Sequence, residues 1–513
     1  MKRMKKIMAL MLAVIMMMAM SVTAFAAEGA TKGTLTVNVK DGQTLANQTV
    51  NIYKLFDMTV SGSNYGYKVN SLYTPILDQV LGDGFTDKTD QGYYDAVKKA
   101  TDTNNGTNTQ KFANDFTKEL LKYNKEHPDQ MIKETSTKSF GKDATDTTFN
   151  VDGLDFGYYL VCQTGTKEIQ SSLVPVVGAT ATVNLKTQAP DITKTADNDA
   201  TTVYVGQTVT YTITGQVPDM TGYSNYVYKI HDTLTDGLDF VKNEAGNVVV
   251  TVKIGETAYD DVVGVISKDN ARKMTIDLSE KVKTAATGAK IEVTYQAKVN
   301  KNAVVETKNS ATLEYSNKPG TEETGTTKPS EVVTPTYPLD VKKTDTKDTM
   351  LAGAHFKLYA STTDGNIDKN KVIKVTKDVE NTDGKYTYAA NQSAEDAIDE
   401  MVTVANKIDE QGYNLHINGL AAGIYYLEET QAPDGYNKLS APIKVTITKT
   451  GDTEWTVSKD DVEETDKIID IENSTGSILP STGGRGAIAF SVIAALLVFG
   501  VAVSFIRDKR KEA

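Results

Sequence analysis

Apolar and polar residues alternate along several segments of this 513-residue chain. A period of two predicts β-strands with one buried face. The alternating segments are rich in Val, Ile, Thr and Tyr and comprise residues 34–39, 203–214, 247–254, 290–299 and 442–447. The exception is the stretch from Tyr93 to Glu126, where Phe112, Phe116 and Leu120 recur at helical spacing. The sequence therefore predicts an all-β protein with one helical insertion.

Short clusters of Gly, Asn and Asp separate the predicted strands and favour turns between them. Many short strands joined in this way are typical of immunoglobulin-like β-sandwiches. Two segments interrupt the strand pattern: Thr-Gln-Ala-Pro at residues 187–190 and the Thr/Glu/Pro-rich residues 318–338. We predict tandem sandwiches at residues 27–188, 189–334 and 335–475, with the helical insertion in the first.

The beginning of the chain has the composition of a secretory signal peptide. Four basic residues within positions 2–6 precede an apolar run over residues 7–20 and the small residues of Ala24-Phe25-Ala26. This order predicts a signal peptide at residues 1–26 with cleavage after Ala26. The remaining chain is therefore expected to fold outside the cytoplasm.

The other end predicts a membrane anchor. Residues 487–506 are twenty mostly apolar residues, long enough to cross a bilayer as a helix, and residues 507–511, four of them basic, follow. Positive charge favours the cytoplasmic side, so the segment before the apolar run should lie just outside the membrane. The terminal segment as a whole covers residues 477–513.

Cysteine content and charge narrow the possible functions. Cys162 is the only cysteine, so the chain has no internal disulfide, the usual crosslink of exported proteins. We interpret it as a packed thiol. The formal charge of −12 argues against nucleic acid as a partner. Four scattered histidines give no metal-binding cluster, and no cofactor is expected.

A pentapeptide lies directly before the predicted anchor, at Leu479, Pro480, Ser481, Thr482 and Gly483. Its order with the apolar run and the basic tail resembles the LPXTG sorting signal of Gram-positive surface proteins. The resemblance implies that a sortase cleaves after Thr482 and transfers the Thr482 carbonyl to an amine. The alternative is an ordinary anchor preceded by a chance LPSTG.

Four segments of the third predicted domain, residues 339–345, 351–359, 423–436 and 468–473, resemble the CnaB-type domain of Gram-positive pilins and adhesins. Residues 425–436 carry its E-box pattern, YxLxETxAPxGY. The resemblance implies an isopeptide bond between Lys343 and Asn473, with Glu429 as catalyst. A buried Lys–Glu pair that never reacts is the alternative.

Physical chemistry explains why such a bond needs these three residue types. Burial disfavours the charged form of lysine and leaves a nucleophilic amine. Burial also raises the pKa of a carboxyl group, so a protonated Glu429 could donate to the Asn473 carbonyl and move protons until ammonia leaves. Folding supplies proximity, which can lower the barrier by about 7 to 11 kcal/mol.

The second predicted domain contains a related trio. Residues 190–195, 228–238 and 307–313 resemble the CnaA-type middle domain of major pilins, in which an aspartate serves as the proton shuttle. The resemblance implies a bond between Lys194 and Asn309, catalysed by Asp232. Surface charges at strand ends are the alternative. We interpret His231, beside Asp232, as a solvated histidine.

The first predicted domain lacks such a trio. Asn38 stands where the reactive lysine would align, and residues 154–162 lack the E-box glutamate, so we expect no crosslink there. Residues 183–186 occupy the place of a pilin motif ending in Val-Tyr-Pro-Lys, which implies that Lys186 is the acceptor amine. The Tyr-Pro pair and the upstream Trp are missing, and an ordinary exposed lysine is the alternative.

Taken over nearly its whole length, the chain resembles the major shaft subunits of sortase-assembled pili. This implies a structural protein, not an enzyme, in a peptidoglycan-anchored pilus on the cell surface. Its partners would be a sortase, copies of itself and peptidoglycan, with minor pilins and host surface ligands as further candidates. A monomeric wall-anchored adhesin is the alternative. A hydrolase lacks support because no nucleophile elbow, HExxH helix or phosphate loop occurs.

Overall fold

A computed structural model describes residues 31–40, 42–61, 64–101, 107–186, 189–197 and 201–475. The predicted signal peptide (1–26), sorting pentapeptide (479–483) and apolar run (487–506) lie outside these residues. Within the described ranges, no helix is long and apolar enough to span a membrane. The chain divides into two compact units between Thr336 and Tyr337. The division into three domains stays a prediction.

The first part of the first unit contains two sheets. Its strands are β1 Lys32–Val39, β2 Thr49–Ser61, β3 Asn64–Val69, β4 Ser136–Ser139, β5 Thr148–Asp155, β6 Gly157–Thr164, β7 Ser171–Val176 and β8 Thr180–Leu185. One sheet has the order β5-β1-β8, with β1 parallel to β8, and the other has the order β3-β2-β6-β7, with β4 beside β2. In β1, buried Leu35, Val37 and Val39 alternate with half-buried polar residues, as the sequence predicts.

The helices of this part form the predicted insertion. They are α1 Thr74–Leu81, α2 Asp90–Thr101 and α3 Thr107–Glu126, with short 3₁₀ turns at Ser71–Tyr73 and Pro128–Gln130. Phe112, Phe116 and Leu120 lie buried on one face of α3, as their spacing predicts. The helical region begins earlier than expected, because Pro75 at the start of α1 favours a helix of only eight residues, which is too short for its periodicity to reveal it.

Two apolar cores use opposite faces of the same strands. Leu55, Phe56 and Leu160 pack with the helices in one core, whereas Ile52 and Val161 pack with the other sheet in the second. Strands β2 and β6 are therefore buried on both faces, and β6 reads as a nearly continuous apolar run. The helices cover a sheet face that would otherwise be exposed.

The second part of the first unit is a twelve-stranded sheet system. Its elements are β9 Thr193–Ala196, β10 Thr208–Gln216, β11 Tyr228–Leu234, β12 Leu238–Phe240, β13 Val248–Ile254, β14 Thr257–Tyr259, β15 Val263–Ile266, β16 Lys273–Asp277, α4 Ser279–Val282, β17 Lys290–Val299, β18 Lys308–Ser316, β19 Thr324–Thr326 and β20 Ser330–Val333. The strand predicted at 203–214 begins only at Thr208, because a turn with Gly206 at φ +96° precedes it. The Thr/Glu/Pro-rich segment forms β19 and β20, which pair with β18.

The second unit contains two sheets. Its strands are β21 Tyr337–Asp345, β22 His355–Ser361, β23 Ile367–Ile373, β24 Val375–Lys377, β25 Lys385–Tyr388, β26 Met401–Val402, β27 Leu415–Leu420, β28 Gly423–Gln431, β29 Ile443–Lys449, β30 Trp455–Lys459, β31 Val462–Glu464 and β32 Ile468–Asn473. Their orders are β24-β25-β27-β21-β32 and β23-β22-β28-β29-β30-β31, with β26 beside β22. The first strand, β21, pairs in parallel with the last, β32. The predicted all-β class is confirmed.

The helical insertion generates a stability prediction. Phe116→Ala should lower the free energy of unfolding of the first unit by about 3 to 5 kcal/mol, because Phe116 is fully buried and its removal leaves a cavity. Urea denaturation followed by tyrosine fluorescence measures the loss. Lys122→Ala, on the exposed face of the same helix, should change it by less than about 0.5 kcal/mol. Equal losses in both variants would contradict this packing.

Candidate functional site

Three strands of the first unit bring together the second predicted trio. Lys194 lies on β9, Asp232 on β11 and Asn309 on β18, whose register pairs Asn309 with Leu234. Strand alternation directs all three side chains inward, although each is polar. The side chains of Lys194 and Asp232 are 0% exposed. They are therefore not surface charges at strand ends.

A tyrosine that the sequence analysis missed joins this trio. Lys194 Nζ donates hydrogen bonds to Asp232 Oδ2 and to the Tyr295 hydroxyl. The Tyr295 hydroxyl donates to Asp232 Oδ2 at 2.5 Å, and Asn309 Nδ2 donates to the Tyr295 oxygen at 2.9 Å. Lys194 Nζ also lies 5.1 Å from the ring centre of Tyr211 and 4.9 Å from that of Tyr295. The cluster is a sealed polar pocket with aromatic walls.

Burial shifts the protonation of the Lys194–Asp232 pair. Loss of hydration lowers the pKa of Lys194 to about 8, against the opposing effect of the Asp232 charge. Loss of hydration also raises the pKa of Asp232, although Lys194 and Tyr295 act in the other direction. Both shifts favour a neutral amine beside a neutral carboxylic acid. Such an amine has a free electron pair and can act as a nucleophile.

The second unit brings together the third-domain trio. Lys343 lies on β21, Asn473 on the neighbouring β32 and Glu429 on β28 of the other sheet. Lys343 Nζ lies 3.9 Å from Glu429 Oε1, and both side chains are 0% exposed. It donates a hydrogen bond to the Ile471 carbonyl at 3.3 Å. Burial lowers the pKa of Lys343 to about 8, against the opposing charges of Glu429 and Glu472.

The E-box loop holds the acid and the amide of this site. Asn473 Nδ2 donates to Glu429 Oε2 at 3.1 Å and to the Asn437 carbonyl at 2.5 Å. The Leu439 N–H donates to Glu429 Oε2 at 2.7 Å. Main-chain groups that follow the E-box therefore fix the orientation of both Glu429 and Asn473.

The two sites share a pattern of unpaired oxygens. Within the ranges that the structure describes, Asp232 Oδ1 and Asn309 Oδ1 are buried without a hydrogen-bond partner, and so are Glu429 Oε1 and Asn473 Oδ1. A buried acceptor without a partner costs about 1 to 3 kcal/mol.

The remaining residues that the sequence singled out lie in simpler surroundings. Asn38 donates to Asn184 Oδ1 at 3.1 Å and accepts from the Thr148 hydroxyl at 3.0 Å. Cys162 is a buried free thiol whose pKa burial raises to about 12, which confirms a packed thiol. His231 is not simply solvated, because its Nε2 lies 2.9 Å from Glu314 Oε2.

Lys186 directly follows β8 and is half-buried. A cleft of about 360 Å³ lies in the same unit and is lined by residues 189–192, 327–330, Asn47 and Lys142, among others. One lining residue, Ala189, follows Lys186 by three positions in the sequence. Among the described residues, no group of three or more His, Cys, Asp or Glu side chains could hold a metal ion.

The second unit matches a known domain family. Residues 337–461 match the SpaA family, described as a prealbumin-like fold domain. No curated protein sequence matches the chain.

Solved structures with a similar fold are described as pilins. The T6 backbone pilin of Streptococcus pyogenes is 15% identical, with coverage of 88% of this chain and 100% of that chain and a TM-score of 0.45. The major pilin SpaD of Corynebacterium diphtheriae is 19% identical, with coverage of 87% and 98% and a TM-score of 0.42. The major pilin SpaA of the same organism is 17% identical, with coverage of 86% and 100% and a TM-score of 0.45.

The lowered pKa of Lys194 generates a pH prediction. In Asn309→Ala the lysine stays a free amine, with a pKa of about 8 when folded and about 10.4 when unfolded. Between pH 8 and about pH 10.4 the unfolded state binds more protons than the folded state, so the free energy of unfolding rises with pH, by up to about 3 kcal/mol in total. Below about pH 8 the folded state bears the whole cost of keeping the buried amine protonated.

Thermal unfolding at several pH values between about 7 and 10 measures this rise. The matched control is the double variant Lys194→Met/Asn309→Ala, which lacks the titrating amine. The difference in unfolding temperature between the two variants should narrow as pH increases. A constant difference would contradict the buried, desolvated amine.

Proposed function

We propose that this chain is the structural shaft subunit of a covalent cell-surface pilus and that it crosslinks itself through two isopeptide bonds. The observation that carries the proposal is the burial of an amine, a carboxyl group and an amide together in each of two sheet systems. Lys194 is joined to Asn309, and Lys343 to Asn473, and one ammonia leaves for each bond. Asp232 and Glu429 are the acids that move the protons.

The strand order explains what these bonds would do under load. Lys343 and Asn473 lie on the first and last strands of the second unit, and these strands are neighbours. A pull on the two chain ends therefore enters and leaves the unit at adjacent strands. A covalent bond between them carries the force directly and shields the 129 intervening residues from unfolding. This is the property that a shaft under tension needs.

The sorting pentapeptide and Lys186 supply the proposed bonds between subunits. A sortase cleaves between Thr482 and Gly483 and transfers the Thr482 carbonyl to Lys186 of the next copy. The cleft lined by residues 189–192 offers a place for an extended C-terminal segment. Repeated head-to-tail addition gives an open filament. Peptidoglycan would accept the last subunit, so the protein is structural and not an enzyme that turns over substrates.

The E-box glutamate provides a direct test of the internal bond. The mass of the parent chain should be lower by two ammonia molecules than its sequence requires. Glu429→Gln should restore one of them, because the amide cannot exchange the proton that the reaction needs. It should also lower stability by roughly 4 to 5 kcal/mol, the value for a crosslink that closes a loop of about this length.

The matched control is Glu428→Gln, on the same strand, where Glu428 pairs with Lys369 at 2.6 Å near the surface. It should keep both bonds. Intact-mass spectrometry and thermal unfolding provide the two measurements. Loss of both ammonia molecules in Glu429→Gln would show that its catalytic role is wrong.

The acceptor amine can be tested on cells. Lys186→Ala should keep both internal bonds and reach the wall as a monomer, but cell-wall extracts should give no high-mass ladder on a denaturing gel. Lys186→Arg should behave identically, because a guanidinium stays protonated and is not a nucleophile.

Lys40→Ala is the control for this experiment. Lys40 follows β1, its N–H donates to the Leu185 carbonyl at 3.2 Å, and its side chain is exposed. This variant should keep the ladder. A ladder in Lys186→Arg would show that another lysine is the acceptor. Absence of any ladder in the parent chain would favour the monomeric adhesin.

A further inference from the structure

The proton-transfer groups of the first unit's site converge on one oxygen. The Tyr295 hydroxyl contacts Lys194 Nζ, which would be the nucleophile, and lies 2.9 Å from Asn309 Nδ2, which would be the leaving nitrogen. It lies 2.5 Å from Asp232 Oδ2, the acid. Every atom that must lose or gain a proton in bond formation therefore touches the same hydroxyl.

In the second unit, the acid lies close to both nitrogens without an intervening tyrosine hydroxyl. There the carboxyl group itself spans both nitrogens, with Glu429 Oε1 at 3.9 Å from Lys343 Nζ and Oε2 at 3.1 Å from Asn473 Nδ2. Aspartate is one methylene shorter than glutamate. Among the hydrogen bonds of the described residues, Asp232 is linked to the Asn309 amide only through Tyr295.

We propose that Tyr295 is a catalytic residue whose hydroxyl relays a proton from Lys194 Nζ to the departing Nδ2 of Asn309. The inference rests on the proposed Lys194–Asn309 bond and names a further participant in that reaction. It also predicts a difference between the two sites, since the Lys343–Asn473 bond would need no such relay.

The atoms balance in two steps. Lys194 first gives its extra proton to Asp232 Oδ2, which leaves a neutral amine. Nζ then attacks Cγ of Asn309, the Tyr295 oxygen takes one proton from Nζ, and its own proton passes to Nδ2. The Cγ–Nδ2 bond breaks and ammonia departs. Tyr295 ends as it began, and Asp232 keeps the proton that it received.

The sheet fixes the hydroxyl in this position. Tyr295 pairs with Tyr211 on β10 and with Val250 on β13, so its strand is held on both sides. Its ring stacks on Tyr211 with a centroid distance of 5.8 Å and contacts Phe240 at 6.0 Å. Burial and the Asp232 charge raise the pKa of Tyr295, so the phenol keeps the proton that the relay requires.

The test follows the crosslink over time in the full chain. Cells are pulse-labelled, samples are denatured and digested at intervals, and mass spectrometry quantifies the peptide that joins Lys194 to Asn309. Tyr295→Phe should slow its formation by at least about tenfold, a modest fraction of what general acid–base catalysis contributes. The Lys343–Asn473 peptide in the same molecules should form at the parent rate.

Tyr228→Phe is the matched control, because the buried Tyr228 hydroxyl has no hydrogen-bond partner among the described residues and takes no part in the hydrogen bonds of the trio. It should leave both rates unchanged. An unchanged rate in Tyr295→Phe would overturn the relay while leaving the bond itself intact. Absence of the crosslinked peptide in the parent would overturn the bond and the relay with it.

A second measurement covers the case in which Tyr295→Phe fails to fold. Difluorotyrosine placed at position 295 keeps the ring and hydroxyl but makes the hydroxyl more acidic. Difluorotyrosine at position 295 should change the rate at which the Lys194–Asn309 bond forms, and the same replacement at position 228 should not change it. An equal rate at both positions would overturn the relay, because a structural hydroxyl is insensitive to its acidity.

Discussion

The desolvation of two lysines is the constraint on which the proposed chemistry depends. A lysine in water is charged and unreactive towards an amide, whereas Lys194 and Lys343 are sealed inside sheets, where burial lowers the pKa of each to about 8. Such burial destabilises the fold until the charge is neutralised or the amine is consumed. The folded state thus holds an energetic cost at each site that formation of an amide would remove.

The sequence predicts these sites through its resemblance to isopeptide domains, and the structure places each of the proposed residues at an inward position of a strand. Lys343 and Asn473 occupy inward positions of β21 and β32, and the E-box marks Glu429 by pattern. Tyr295 could not be found in the same way. It is one of many inward aromatic residues, and only the pairing of β17 with β10 places it beside Lys194.

Each difference between the predicted and the observed structure has a cause that can be traced to particular residues. Residues 203–207 alternate like a strand but form a turn, because Gly206 takes a positive φ. Helix α1 is too short for periodicity to reveal it. His231, which the sequence predicts to be solvated, lies on β11, and the neighbouring β18 brings Glu314 against its ring. Contacts between strands distant in sequence decide what a residue meets, and a pattern along one strand does not contain them.

The same burial would make an isopeptide bond a selective consequence of folding. In an unfolded chain every lysine is charged, and no acid or amide is held beside it, so wrong pairs do not react. Disulfides lack this selectivity, because exposed thiols exchange with one another whenever an oxidant is present. The only cysteine, Cys162, is buried with a protonated thiol and takes no part. Crosslinking of this kind needs no oxidant and no partner protein, and it occurs only after the sheets have closed around the amine.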